Sequence, residues 1–412
     1  MTSIPTAPLK VAVVGAGFWA RFQVRAWQEL ERQGLVQLTA ICGRNREKLE
    51  RFVQDLGPAR PSSPAAAALP VYTDLDAMLR EIPALGVVDL ITTTPTHYAF
   101  TQQVLNAGIP VIVQKPMAQT LREAIAMVRT AQKARVPLLV HEDFRWQKPF
   151  VTLKQLIAER ADALGPLIDI RAEWESGGED FLQGQPYFAD QPFLVNGEVG
   201  VHLIDILRFL AGRDVTRVTS AHMHTSVDDR YRGEDIVHVT LDLEDGVSGA
   251  YRAAFSAARR DEHAPQTFVR LTFKRGTIEL GVNYEITITQ LRRTSQQITK
   301  EVTTIHALPD AAPWTQDPAL RDYQSWLGQW ESCLPTNRSC AEFVLGRPSP
   351  ARAVTTGEDN LNVLATMFGA YLARKDDSRV VIPHTLEGLE TLAQRLDDAQ
   401  IGYPSACGRT QG

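Results

Sequence analysis

Residues Lys10 to Ala26 read Lys-Val-Ala-Val-Val-Gly-Ala-Gly-Phe-Trp-Ala-Arg-Phe-Gln-Val-Arg-Ala, and this stretch decides the fold. The apolar run Val11 to Val14 has the length and β-branching of a buried parallel strand, and Gly15-Ala16-Gly17-Phe18-Trp19-Ala20 turns it into a helix. Gly15 permits the tight turn, Gly17 lets backbone approach a pyrophosphate, and Ala20 allows helix and strand to pack closely. Free first-turn N–H groups and the helix dipole then stabilise phosphate charge. Glycines also serve in plain turns. Here the strand before, the helix after and a second strand-like run at Leu38 to Cys42 favour a dinucleotide site, with Gly15, Gly17, Phe18, Trp19 and Ala20 as its first candidate residues.

A chain of 412 residues exceeds the usual single core, so two domains are expected, with the break near residue 147. A hydrophobic share of 44% with 22% charged residues is that of a soluble globular protein. The net charge of -5 offers no basic surface for nucleic acid and no polybasic membrane patch. Met1 to Pro8 lack a basic region followed by an apolar core, and no apolar run reaches membrane-spanning length, which leads us to expect a cytoplasmic protein. Cys42, Cys333, Cys340 and Cys407 lack metal-ligand spacing and read as reduced thiols; no metal is expected.

Working outward from the first turn, strand and helix signals alternate at Val87 to Thr92, Tyr98 to Ala107, Val111 to Val113, Leu121 to Ala134 and Leu138 to His141. Such alternation predicts a doubly wound parallel sheet. Thr120 and Glu123 form a capping-box pattern before the second helix, and the Pro- and Ala-rich stretch Gly57 to Pro70 reads as a surface loop. Beyond Gln147 comes one helix, Val151 to Arg160, and then strand-like runs at 168–174, 215–224, 236–243, 247–255, 267–273, 278–280, 286–290 and 297–303. Glu244-Asp245-Gly246 and Lys274-Arg275-Gly276 punctuate them as hairpin turns, which predicts an open, mainly antiparallel sheet in a second α/β domain. Helices near Tyr323 to Trp330 and Asn360 to Ala373 are expected to cover this sheet or dock on the first domain.

On the stretch Glu198 to Leu210, helical spacing gathers Val199, Leu203, Ile206 and Leu210 into an apolar stripe, with Glu198, His202 and Asp205 beside it. At i and i+4, a carboxylate can orient an imidazole and raise its basicity, the pairing a general base needs near neutral pH. An ordinary helix with a satisfied core histidine is the competing reading. Lys115, in Gln114-Lys115-Pro116, follows a strand, and ligands of a doubly wound sheet bind beyond the carboxyl ends of its strands. An ammonium there stabilises an alkoxide as a hydride leaves. Thr92, Thr93, Thr94 and His97 follow another strand toward the ribose or nicotinamide, His97 reading as a local structural residue rather than a base. The polar and aromatic run His141 to Trp146, with Glu142, Arg145 and Trp146, suits a sugar or else forms a hinge with ordinary salt bridges.

Taken together, the Gly15 to Ala20 turn, Gln114-Lys115-Pro116 and Glu198-x-x-x-His202 resemble the Gfo/Idh/MocA family of nicotinamide-dependent oxidoreductases over nearly the whole chain. His141 to Gln147, Gln185-Pro186-Tyr187 and Gly357 to Asn360 are most similar to its D-apiose dehydrogenase subgroup. The resemblance implies a Rossmann domain at 1–147 and a substrate-binding and oligomerisation domain at 148–412, with self-association through the open sheet. It also implies NAD or NADP as cofactor, a sugar or polyol as substrate, and Lys115 and His202 on the reacting hydroxyl with Glu198 assisting. Gln114 stands beside the cofactor where the family usually has Glu, and Tyr187 joins the candidate substrate residues. After the second strand, Gly43 and Arg44 replace the acidic residue that would bind an adenosine ribose; Arg44 then holds a 2′-phosphate or stacks on adenine. The alternatives are a non-catalytic cofactor-binding regulator, an NAD-dependent glycosidase of the same family, and a reductase of imines or lactones.

Overall fold

The computed structural model describes residues 7–57, 69–177, 188, 190–225, 231–255, 266–293, 297–307, 331–348, 352 and 354–402. They form two compact units, one running to Asp143 and including a later stretch that ends at Asn360, the other starting at Phe144 and resuming at Leu361.

The first unit holds strands β1 (Leu9–Val14), β2 (Val36–Cys42), β3 (Val71–Tyr72), β4 (Val87–Leu90), β5 (Val111–Gln114) and β6 (Leu138–His141). They form one parallel sheet in the order β3-β2-β1-β4-β5-β6. Val11, Val13, Val87, Val88, Ile112 and Val113 are fully buried, the signature of strands covered by helices on both faces. Between β1 and β4 the order reverses direction, and the carboxyl ends there frame the crevice where doubly wound sheets bind ligands. The covering helices are α1 (Ala20–Arg32), α2 (Arg46–Leu56), α3 (Leu75–Glu81), α4 (Thr94–Asn106) and α5 (Leu121–Ala134). The capping box holds: Thr120 Oγ1 accepts from the Glu123 N–H at 3.1 Å, and Glu123 Oε2 accepts from the Gln119 N–H at 3.1 Å.

Several boundaries differ from the sequence reading. β4 stops at Leu90 and α4 begins at Thr94, not Tyr98, because Pro95 sits in the first helical turn, where its missing N–H costs nothing. A helix at Cys333–Val344, absent from the sequence reading, packs Cys340 and Ala341 into the core that contains Val24 and Trp27 of α1. Its buried Thr336, Asn337 and Ser339 hide the apolar periodicity that would announce it. The expected helix at Tyr323 to Trp330 lies outside the described residues.

The second unit contains β7 (Leu167–Ser176), β8 (Val215–His224), β9 (Ile236–Leu243), β10 (Ser248–Phe255), β11 (Gln266–Phe273), β12 (Gly276–Leu280), β13 (Glu285–Arg293), β14 (Ile298–His306) and β15 (Val380–Val381). Their order is β14-β13-β12-β11-β7-β10-β9-β8-β15. Every pairing is antiparallel except β7 with β10. Period-two burial in β7, with Ile170, Ala172 and Trp174 inward and Arg171 and Glu173 outward, shows a sheet packed on one face. The Lys148–Leu164 and Val201–Ala211 helices pack on this sheet.

Candidate functional site

The nucleotide end of the first unit is built by Gly15. Its φ of +120° is open to glycine, and an added Cβ would lie 2.1 Å from the Ile91 carbonyl oxygen. The Gly15 N–H donates to the Cys42 carbonyl at 2.8 Å, so the turn is locked between β1, β2 and the end of β4. Gly17 is the opposite case: nothing lies within 4 Å of an added Cβ, leaving a bare backbone against open space. α1 starts with Trp19 at its N-cap and no side chain capping it, so the positive end of the helix has no internal anion. Ala20 is fully buried in the core, and Phe18 and Trp19 meet Phe22 edge-on at 5.2 and 5.6 Å between ring centres. A cradle that a Cβ would fill, at an uncapped helix start, fits a dinucleotide pyrophosphate. Past β2, Gly43 donates to the Tyr72 carbonyl at 3.0 Å, Arg44 is exposed, and the Asn45 side chain caps α2 by accepting from Lys48 N–H at 2.9 Å.

Thr92, Thr93 and Thr94 follow β4. Thr96 Oγ1 donates to Thr92 Oγ1 at 2.8 Å, Thr93 stands exposed at the N-cap position of α4 without a side-chain capping bond, and Thr94 is buried. His97 is fully buried, its ring nitrogens 3.0 Å from the Pro116 carbonyl and 3.1 Å from the Thr92 carbonyl. Burial pushes its pKa down to about 4, against those two carbonyl contacts. A neutral ring between the end of β4 and the Lys115 turn is a brace, as its helix-start position suggested.

Lys115 directly follows β5, half-buried at the carboxyl end of the sheet. Behind it runs a buried polar chain that the sequence reading missed. Gln114 Nε2 donates to Gln23 Oε1 at 2.7 Å, and Gln23 Nε2 donates to both oxygens of Asp89, at 2.8 and 2.7 Å. Trp27 Nε1 is a second donor to Asp89, at 2.7 Å. Asn337 Nδ2 donates to the Gln23 carbonyl at 3.0 Å, and His141 Nε2 donates to Asn337 Oδ1 at 2.9 Å. The available signal was an acid in the apolar run Val87-Val88-Asp89-Leu90-Ile91, since carboxylates are almost never fully buried without partners. Glu142, at the end of β6, is also buried.

In the second unit, Glu198 and His202 do not share one regular helix. Asn196–Gly200 form a π-helical turn that leads into the Val201–Ala211 α-helix. An added Cβ at Gly200 would lie 2.2 Å from Asn196 Oδ1, so this residue leaves room for the Asn196 side chain inside the wide turn. Tyr251 Oη donates to Asn196 Oδ1 at 2.7 Å, while Glu234 Oε1 accepts from the Asn196 N–H at 2.9 Å and from Tyr371 Oη at 2.7 Å. Burial pushes the Glu234 carboxyl up to about 7, outweighing those donors. Turns of this type cluster at functional sites. Glu198 and His202 are 6% and 5% exposed, and the His202 ring stacks on Phe144 at 3.9 Å between centres. Asp205, grouped with them by spacing, instead takes a two-pronged ion pair from Arg145, with both contacts at 2.6 Å. Arg145 and Asp205 are essentially unexposed, so the guanidinium fork is engaged inside the unit; Trp146 next to it is half-buried. Tyr187 lies outside the described residues.

A model of the oxidoreductase family with an NAD-binding Rossmann fold matches residues 9–142. The GFO/IDH/MocA C-terminal domain matches residues 150–279. The D-apiose dehydrogenase of Paraburkholderia graminis is 30% identical over 97% of this chain and 96% of its own length. That of Rhizobium rhizogenes is 30% identical over 88% of this chain and 94% of its own. A crystal structure of an oxidoreductase from Agrobacterium radiobacter in complex with NAD+, L-tartaric acid and magnesium is 29% identical, with a TM-score of 0.77 over 91% of this chain and 99% of that one. With its dinucleotide-ready turn, its doubly wound sheet and matches to both characteristic domains, the chain belongs to the Gfo/Idh/MocA family of oxidoreductases and carries its NAD-binding Rossmann domain.

Proposed function

We propose that the chain is an NAD(P)-dependent dehydrogenase of a sugar or polyol, cyclic hemiacetals included. The observation that carries the reading is Lys115 at the carboxyl end of β5, in the same sheet whose first turn leaves Gly17 as bare backbone at an uncapped helix start. Gly15, Gly17, Phe18, Trp19 and Ala20 hold the pyrophosphate; Gly43 and Arg44 meet the adenosine side; Thr92 to Thr94, His97 and Gln114 border the nicotinamide side. When bound, the nicotinamide supplies the hydride acceptor. Lys115 donates a hydrogen bond to the substrate hydroxyl and stabilises the alkoxide as it forms. His202 takes the hydroxyl proton, and Glu198 holds the ring in its productive orientation. Glu142, Trp146 and Tyr187 are the proposed sugar-binding residues, and Arg145 contributes through Asp205.

The relatives named D-apiose dehydrogenase make D-apiose the first sugar to test. Purified protein is incubated with D-apiose and a panel of aldoses, polyols and inositols, with NAD and with NADP, and the reduced nicotinamide is read by absorbance. Turnover of at least one sugar is the expected result. Nucleotide binding without turnover across the panel overturns the reading in favour of a regulator, and aglycone release from glycosides without net reduction overturns it in favour of a glycosidase. A selective loss of kcat/KM with NADP in Arg44→Ala assigns Arg44 to the 2′-phosphate.

The same reading puts the protein in the cytoplasm, supported by buried cysteines at Cys42, Cys333 and Cys340 that form no disulfide. No helix among the described residues is long and apolar enough to cross a membrane. It also has the second unit self-associate through the open face of its sheet. Supporting this, Ile298 and Val302 of β14 and Leu291 of β13 share one face and are 63%, 53% and 41% exposed.

A further inference from the structure

The buried chain behind Lys115 has a direction. Asp89 accepts from two donors, the Gln23 amide nitrogen, which reaches both carboxylate oxygens, and the Trp27 indole, and is fully buried. An ionised carboxylate only accepts hydrogen bonds, so Asp89 obliges Gln23 to turn its NH2 toward β4 and its oxygen toward β5. The side chain at 114 must then present a donor to Gln23 Oε1, and Gln114 Nε2 does so at 2.7 Å. Its remaining atom, Oε1, accepts from the Lys115 backbone N–H at 3.2 Å. An amide satisfies both neighbours. A carboxylate at 114 would set acceptor against acceptor, and Gln23 could relieve the conflict only by turning its oxygen onto Asp89.

We infer that Asp89 is a positioning residue for the Lys115 turn, acting through Gln23 and Gln114, and that a buried acid at 89 and an amide at 114 are one coupled choice. The inference rests on the reading of Lys115 as the residue that meets the substrate hydroxyl. It accounts physically for Gln in the Gln114-Lys115-Pro116 turn: the acid has been placed on the neighbouring strand, and a single glutamine amide can direct its NH2 to one carboxylate only. Reversing the pair, with an amide at 89 and an acid at 114, lets Gln23 flip and make an equivalent chain in the other direction. Trp27 still donates to the oxygen of an asparagine at 89.

The test is a double-variant cycle of Asp89→Asn, Gln114→Glu and Asp89→Asn/Gln114→Glu, assayed at about pH 8, where Asp89 is ionised. Three readouts are taken: hydrogen–deuterium exchange of the peptide spanning Val111 to Leu121 in the NAD-saturated protein, the Kd for NAD from tryptophan fluorescence, and kcat and KM on the sugar oxidised fastest in the panel above. Each single variant is expected to speed exchange in that peptide about tenfold or more and to lower kcat about 10- to 100-fold, with KM within about threefold of wild type and, for Asp89→Asn, which does not border the cofactor, the NAD Kd within about threefold as well. The double variant is expected to return exchange and kcat to within about threefold of wild type. A Gln114→Glu enzyme with wild-type exchange and kcat overturns the inference, as does a double variant no better than the worse single one. Loss of thermal stability in the single variants with unchanged kcat also overturns it, because that is what a purely structural network gives. Lys115→Ala separates this from the underlying reading: full activity there removes the Lys115 assignment itself, whereas an inactive Lys115→Ala beside an uncoupled pair rejects the positioning role alone.

Discussion

Lys115 and Arg145 are both cations that the sequence nominates for the site, and their surroundings assign them different duties. Lys115 stands half-buried at a strand end, and on the proposed reading it meets the charge that develops during hydride transfer. Lys115→Ala is expected to lower kcat about 100- to 1,000-fold and to leave the NAD Kd within about twofold, by steady-state kinetics and fluorescence titration. Arg145 is closed inside the second unit with its fork on Asp205. Removing it takes the two-pronged ion pair from a buried carboxylate and leaves Arg208 Nη1 3.9 Å from the same oxygen. Arg145→Ala is therefore expected to cost about 3–5 kcal/mol in urea unfolding, where a surface substrate-binding arginine would cost under about 0.5 kcal/mol.

Among the elements, the π-helical turn Asn196–Gly200 governs where Glu198 points. It is maintained by Asn196, whose backbone N–H is held by Glu234 and whose side chain is held by Tyr251. A methyl group at 200 would occupy the space of Asn196 Oδ1 and break the Tyr251 bond. Gly200→Ala should lower kcat about 10- to 100-fold, because a shift of about 1 Å in the carboxylate proposed to orient His202 is enough for that. The NAD Kd, set by the first unit, should stay within about twofold, and kinetics beside a fluorescence titration check both expectations.

For the whole molecule, each unit carries a buried acid whose pKa burial raises to about 7, Asp89 in the first and Glu234 in the second. Such a group binds its proton more tightly folded than unfolded, so the stability it supports is greatest at low pH and is lost as the pH climbs from the ordinary carboxylate range toward 7. His97, held near 4, acts in the opposite sense and costs stability as the pH falls below its ordinary 6.5. Comparison with variants separates the two effects. From about pH 5 to about pH 7.5, the thermal midpoint of the wild type should fall relative to those of Asp89→Asn and Glu234→Gln. Calorimetry across that range checks the slope. Self-association is the other property at this scale: Ile298→Lys/Val302→Lys should shift the sedimentation profile toward monomer, and a profile unchanged by it would move the contact elsewhere.

Local chemistry writes the strand and helix pattern directly into the chain. The apolar run before Gly15, the Thr120 and Glu123 cap and the alternation in β7 are each decided by neighbours a few residues away, so the Rossmann sheet and the open second sheet are legible from the sequence, as are the glycine turn and the place of Lys115 just past a strand. The Cys333–Val344 helix escapes because its buried face carries Thr336, Asn337 and Ser339, and Asn337 finds its partners in Gln23 and His141, 314 and 196 residues away. Asp89, Gln23 and Gln114 lie on three separate elements, up to 91 residues apart, and Asn196, Glu234, Tyr251 and Tyr371 are dispersed in the same way. The sequence by itself determined the elements and the candidate chemistry, because these depend on periodicity and turn stereochemistry. Only the tertiary structure decided which polar side chains are buried together and in which direction their hydrogen bonds run, because burial removes the water that would otherwise satisfy each one alone.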